Sequence, residues 1–342
     1  MSKPGYLQKR TCKLMVLILI SIVLGYFLGT GETSAASNEI IMKIAYPFGA
    51  TPDHPHYWVG NNLKKTVEEL TKGRVTVQLY PMSQLGGDRE TSEAIIMGTL
   101  EMNWPASAPI AQSVPEIGAL DLPYIFRDVN HAFRALDGKP GKIIESKCLD
   151  KGIRIGGWGL SGFRHVMTTK KPINKLEDIR GLKIRCMEAP VFIEMLKAWG
   201  AIPTPISWTE VYMALSQGVV DGQETVINAA MDQKHLEVTK YIALTYDSIT
   251  LRPLIISEKW WRSLPSDIQT VVGQATKEAT AMMRQKILEF EDQTIEMAQK
   301  KYKVTITKPD LKPWREATKK IYPKFEKVVG GSYIIDAIQA VE

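Results

Sequence analysis

Only three cysteines occur in the 342-residue chain. Cys12 lies upstream of the N-terminal apolar run and is not placed for lipid attachment. Cys148 and Cys186 remain, too few for a thiolate metal site. One disulfide between them is open in an oxidising compartment. Two small buried residues are the expectation, because nothing in the sequence brings the pair together. Catalytic signatures are also missing. No Gly-Lys-Ser/Thr follows the Gly-Gly of "LGGDRE", so it is not a phosphate loop. There is no nucleophile elbow, no paired metal-ligand motif and no nicotinamide fingerprint. The chain is therefore not expected to be an enzyme, and neither a cofactor nor a metal is expected. Disorder-prone or low-complexity composition is absent too.

Positive charge is in shorter supply than the formal +6 implies. Lys3, Lys9, Arg10 and Lys13 precede the apolar run "LMVLILISIVLGYFLG" at 14–29, and "TGETSAAS" follows it. A basic start, an apolar core and small residues before a cut site describe a secretory signal peptide. Cleavage is expected near Ala36, giving an exported, periplasmic protein. An uncleaved anchor is the alternative, but the run falls short of the roughly 20 residues a spanning helix needs. No later stretch is long and apolar enough to span either. Without the four basic residues and the single acid (Glu32) of positions 1–36, 39 basic residues face 36 acidic ones. No basic stripe with interleaved aromatics is present, so nucleic acid is not an expected partner.

What is present is a repeated strand and helix pattern. "EIIMKIAYPF" and "RVTVQLYP" read as strands around a helix with Trp58, Leu63, Val67 and Leu70 at helical spacing. A helix ending at Gly98 and a strand toward Pro105 complete a β-α-β-α-β unit, the order of a parallel sheet with helices on both faces. "IRIGGWGL" and "GFRHVMTTKKPIN" read as two strands, "LKIRCM" as another, and "WTEVYMALSQGVVDGQET" as a helix to Gly218 followed by a turn. "DSITLRPLIIS" returns to strand. The pattern at 265–302 predicts one helix about 50 Å long, too long for one small domain and suited to bracing two. The expected class is α/β, with lobe I at 37–163, lobe II at 164–248 and shared elements at 249–342. Ligands of such sheets bind at the carboxyl ends of the strands, in the cleft.

Several stretches together then carry a resemblance: "MSQLGGDRE", "MGTLEMN", "LDLPYIFRD", "GFRHVMTTKKPI", residues 177–224 and "PLIISEKWWRSLP". In order, across essentially the whole mature chain, they resemble the solute-binding proteins of TRAP transporters, the DctP type. The resemblance implies two α/β lobes closing on a ligand, with a long helix bracing both. It implies capture of a carboxylate-bearing solute and delivery to the small and large membrane subunits of a transporter, without catalysis. A monomer is expected. The rival readings are the binding subunit of an ABC-type importer and a chemoreceptor-linked organic-acid sensor.

The resemblance makes Arg185, in "LKIRCM", the ligand-binding arginine. A guanidinium presents parallel donors that match a carboxylate's two oxygens. Arg164, in "GFRH", matches a second arginine; its other reading is a hinge salt bridge. His165 points to the opposite face if this is a strand, and is expected to be structural. Trp208 stands where many members have phenylalanine against the ligand. Asn103 and Trp104, at the end of a first-lobe strand, are expected to face the cleft. Some sialic-acid-binding members have a glutamate where this chain has Ala106, which argues against that ligand. Thr225 replaces the asparagine of the common "DGQEN", and its hydroxyl has a shorter reach. Glu188 occupies a position that is often neutral. It either suits a ligand with hydroxyl or amino donors or favours a helix dipole. His54 or His56 can line the cleft mouth, and Asp88 can approach the ligand from a helix start.

Overall fold

A computed structural model describes residues 39–49 and 55–342. The N-terminal segment 1–36, Cys12 and His54 lie outside the described residues. Among the described residues, no helix is long and apolar enough to cross a membrane.

The first unit forms as its periodicity predicts. Strand β1 (Ile40–Ala45) pairs in parallel with β2 (Val75–Tyr80) and with β3 (Met102–Asn103). In β2, Val75 and Val77 are buried while Thr76 and Gln78 are only half-buried, the period of two of a strand. Helix α1 (Pro55–Leu70) buries Val59, Leu63 and Val67. That stripe differs from the expected one, since Trp58 and Leu70 are exposed. Trp58 sits one residue, about 100° of rotation, away from the Val59–Leu63–Val67 line. Helix α2 (Asp88–Met97) stops at Gly98, whose φ of 77° closes the last turn in the left-handed region.

Past these elements, α3 (Val129–Asp137) and α4 (Lys139–Asp150) form a helical pair. The two strands expected at 153–174 are instead one 16-residue strand, β4 (Ile153–Thr168). Its glycines mark bulges rather than ends, because the register against the later strand Ile249–Ser257 shifts between Ile155 and Gly157 and again between Leu160 and Gly162. A Cβ at Gly157 would run into Thr280 of the long helix, so the close approach there requires glycine. The expected boundary between residues 163 and 164 therefore lies inside a continuous strand.

Strands β5 (Lys183–Cys186) and β6 (Ile202–Pro205) flank α5 (Pro190–Ala198), with Pro190 in its first turn. After α6 (Val211–Ser216) comes β7 (Gly222–Val226), where a turn was expected. "GQETV" is polar, yet every one of its residues is buried between β4 and β5. Helix α7 (Ile227–Asp232), β8 (Tyr241–Ala243) and β9 (Ile249–Ser257) follow.

The sheet order is β2-β1-β3-β9-β4-β7-β5-β6, with β8 on β4 and β10 (Thr305–Thr307) on β8. β9 runs antiparallel to both β3 and β4, so the sheet is mixed. The first part of β4 pairs with β9 and its last five residues pair with β7. One strand thus belongs to both halves. Helix α8 (Ser266–Tyr302), 37 residues and about 55 Å long, packs on α1, β4 and α7 and so touches both halves. The fold is the two-lobed α/β class with a long bracing helix. Cys148 and Cys186 are both buried and unbridged, on α4 and β5.

Candidate functional site

A cavity opens where the ends of the central strands meet α2 and the turn before α6. Phe48 and Asp88 approach it from the β1–β3 side. Arg185, Trp208 and Thr225 approach it from the β5–β7 side, with Arg164 and Arg252 between. The two sides touch across it. Phe48 meets the Trp208 ring edge-on at 5.6 Å, and the Gln112 side-chain amide donates to the Glu188 carbonyl at 3.0 Å.

Arg164 leaves β4 into the floor of the cavity and is 2% exposed. Its guanidinium meets the Glu224 carboxylate in a two-point pair, with Nη2 2.6 Å from Oε2 and Nε on Oε1. Nη2 also donates to the Glu224 carbonyl, and Nη1 to Thr250 Oγ1 at 3.0 Å. Burial alone would depress this guanidinium, but the adjoining Glu224 carboxylate holds it above its ordinary value. The hinge-side salt bridge is therefore present, and Arg164 lines the cavity with its charge already neutralised.

Arg185 is different. It is equally buried, on β5, and only Nε is satisfied, donating to the Ile206 carbonyl at 3.0 Å. Nη1 is buried and has no hydrogen-bond partner among the described residues. The guanidinium faces the Trp208 ring at 5.3 Å. Burial, reinforced by the nearby Arg164 charge, pushes it down to about 10. A buried cation without an anion is costly, and each unmade hydrogen bond adds to the cost. The Trp208 indole N–H is likewise buried and has no partner among the described residues.

A third cavity arginine, Arg252, was not singled out by the sequence reading. It stands in the apolar β9 run "ITLRPLIIS", the same signal of a charge within a buried strand that marked Arg185. Nε donates to Ser161 Oγ at 2.7 Å, and Nη1 reaches the Trp104 carbonyl at 3.4 Å. Nη1 also pairs with Asp88 Oδ2 at 3.5 Å, and the guanidinium lies 4.4 Å from the centre of the Phe48 ring. Burial pushes Arg252 down to about 10, with the Asp88 charge opposing.

The remaining expected residues divide. Asp88, Trp208, Thr225 and Glu188 line the cavity with Arg164 and Arg185. Asn103 and Trp104 do not. The Asn103 amide donates to Thr91 Oγ1 at 2.9 Å and its oxygen accepts the Trp104 N–H, so its polar atoms serve the fold. Trp104 is buried beneath Arg252, donating to the Arg252 carbonyl at 3.1 Å. Asn103 ends a two-residue strand and Trp104 follows it, a segment too short for alternation to show which way its side chains face. His56 is buried against Phe48 and Trp104 rather than lining the cavity. His165 faces a separate cavity of about 820 Å³ with Tyr246, away from Arg185.

Behind Arg164 lie two more buried carboxyls. Asp247 accepts from Thr245 Oγ1 at 2.6 Å, and burial, with Glu224 nearby, raises it well above the usual carboxylate range. Asp121 accepts from Ser107 Oγ at 2.8 Å through Oδ1, while Oδ2 is buried without a partner. Burial pushes Asp121 up to about 7.

A cavity between two halves of a sheet, lined by a buried guanidinium that pairs with no carboxylate among the described residues, is chemically suited to a small anion. A solute-binding protein of Verminephrobacter eiseniae is 31% identical over 310 residues, covering 90% of this chain and 92% of its own. A TRAP periplasmic solute-binding protein from Polaromonas sp. JS666, bound to D-erythronate, superposes with a TM-score of 0.84 at 35% identity, covering 89% of this chain and 99% of its own. One from Sulfurospirillum deleyianum, bound to succinate, gives 0.83 at 34% identity over the same shares. Residues 49–328 match the pattern of the DctP family, bacterial extracellular solute-binding protein, family 7. The family match, the similar relatives and the superposed folds show that the chain belongs to this family, as a TRAP-type solute-binding protein.

Proposed function

We propose that the protein captures a small carboxylate-bearing solute outside the cytoplasm, holds it on Arg185, and hands it to the small and large membrane subunits of a TRAP transporter. The observation that carries this reading is the Arg185 Nη1, buried at the cavity wall and without a hydrogen-bond partner among the described residues. A ligand carboxylate supplies the missing anion and accepts from two donors at once. Arg164, held by Glu224, directs its remaining Nη1 edge toward the same space. Trp208 covers the apolar part of the solute, and Thr225 contributes a hydroxyl.

Groups from both halves surround the cavity, so a ligand that touches both binds the closed arrangement more tightly than an open one. Export follows from the N-terminal segment 1–36, with cleavage near Ala36. The mature chain acts as a monomer that docks on the transporter in its closed form. The two halves act as lobes that move about β4 and β9, with α8 bracing them.

Thermal-shift measurement of residues 37–342 against an organic-acid library tests the reading, since a ligand of the folded state raises the melting temperature. Titration calorimetry of R185A with the best acid is the control. Loss of binding by at least about 100-fold is expected when a buried charge pair is broken. An unchanged dissociation constant would remove Arg185 from its role.

A further inference from the structure

The charges around the cavity do not cancel evenly, and the remainder specifies the solute. Arg164 is neutralised by Glu224. Arg252 is neutralised by Asp88, whose Oδ2 lies 3.5 Å away. Arg185 forms no ion pair among the described residues. The deep part of the cavity therefore carries one uncompensated positive charge. Other charged groups lie at the mouth: exposed Arg89 pairs with Glu93 at 3.1 Å, and Glu90 is exposed beside it. Glu188, half-buried, anchors its carbonyl on Gln112 and forms no ion pair with Arg185.

Asp88 has a second property. Its Oδ2 accepts the Ala106 N–H at 2.9 Å and faces Arg252, while Oδ1 accepts no hydrogen bond among the described residues. A carboxylate oxygen at the cavity wall with free lone pairs accepts from a hydroxyl and repels another carboxylate. A second ligand carboxylate could reach Arg252 only by displacing Asp88, leaving that acid without its cation.

We infer that the Asp88–Arg252 pair is a selectivity element: it admits hydroxylated monocarboxylates, one charge on Arg185 and one hydroxyl on Asp88, and turns away dicarboxylates. This rests on the carboxylate-capture reading and narrows it. Arg252 acts as the positioning residue. Ser161, the Trp104 carbonyl and the Phe48 ring fix it, and it in turn fixes the Asp88 carboxylate.

Calorimetry with D-erythronate and D-gluconate against succinate and L-malate tests the inference on wild type, D88N and R185A. Wild type is expected to bind its better hydroxy monocarboxylate at least about 100-fold more tightly than either dicarboxylate, the scale of an unpaired hydroxyl site plus a like-charge contact. D88N frees Arg252 to meet a second carboxylate, so that ratio is expected to fall at least about tenfold. A wild type that prefers succinate or L-malate, with binding still abolished in R185A, overturns the selectivity element and leaves carboxylate capture standing. An unchanged ratio in D88N also overturns it. Binding of none of the four acids by wild type overturns both.

Discussion

The Arg185 guanidinium lies 5.3 Å from the centre of the Trp208 ring, and its Nη1 has no hydrogen-bond partner among the described residues. A ring quadrupole softens a buried cation without neutralising it, so the charge stays available to a ligand. Phe48 and His235 hold the indole from either side, edge-on at 5.6 Å and tilted at 4.8 Å. W208A is therefore expected to weaken ligand binding about tenfold, the upper part of a cation–π contribution. W208F, which keeps a ring face, should stay closer to wild type. Equal dissociation constants for wild type and W208A by calorimetry would sink this role.

Arg164 and Glu224 form a pair in which both partners are almost fully buried, at 2% and 0% side-chain exposure. E224Q keeps the shape but leaves the guanidinium without its anion. Removing one partner of a buried pair costs about 3–5 kcal/mol. Relief of the repulsion between Glu224 and Asp247 offsets part of this, so a net loss of about 2–4 kcal/mol in urea unfolding is expected. A loss below about 1 kcal/mol would mean that Arg164 finds other compensation.

Much of this was legible before the structure, and for identifiable reasons. The helices at 55–70, 190–198 and 266–302 and the parallel β1–β3 unit follow from periodicity and from proline and glycine punctuation. Arg185 stood out because an apolar strand contained a permanent charge. The same signal is present at Arg252, in "LRPLIIS", where the strand pattern around it masks the charge. The strand at 222–226 was hidden because its polar residues are matched by distant partners. Glu224 serves Arg164, and Gln223 bonds His235 at 3.0 Å. Local patterning cannot display such pairings. Asn103 misled in the opposite way, since a polar residue at a strand end points to a cleft unless its neighbours, here Thr91 and Ser92, use it up.

Gln112 ties the two halves together at the mouth, donating to the Glu188 carbonyl at 3.0 Å. This bond forms only when the halves are together, so Q112A removes a contact of the closed form and nothing from an open one. One such neutral bond is worth about 0.5–1.5 kcal/mol. Ligand affinity is expected to fall about two- to tenfold, chiefly through faster dissociation, while the melting temperature of the ligand-free protein stays put. Stopped-flow dissociation measures the first and calorimetric unfolding the second. A lowered melting temperature with unchanged dissociation would show that the bond supports the fold rather than closure.

Asp121 provides a pH test with a definite sign. Its carboxyl is buried, with Ser107 donating to Oδ1 and with Arg164 and Glu224 as the charged groups that act on it. Burial raises it from the ordinary value near 4 to about 7 in the folded protein, despite the opposing Ser107 and Arg164. Between these limits the folded chain keeps a proton that the unfolded chain has released. Stability from this group is therefore full below about pH 4 and is lost as the pH climbs through about 7. Asn carries no ionisation and preserves the acceptor for Ser107. D121N should unfold at nearly the same urea concentration as wild type at pH 4.5 and at a clearly higher one at pH 8. The gap should widen by about 2–4 kcal/mol, since each tenfold difference in proton affinity is worth about 1.4 kcal/mol. A gap that is constant across this range would show that Asp121 ionises normally, and that the Arg164 and Ser107 contacts outweigh its burial.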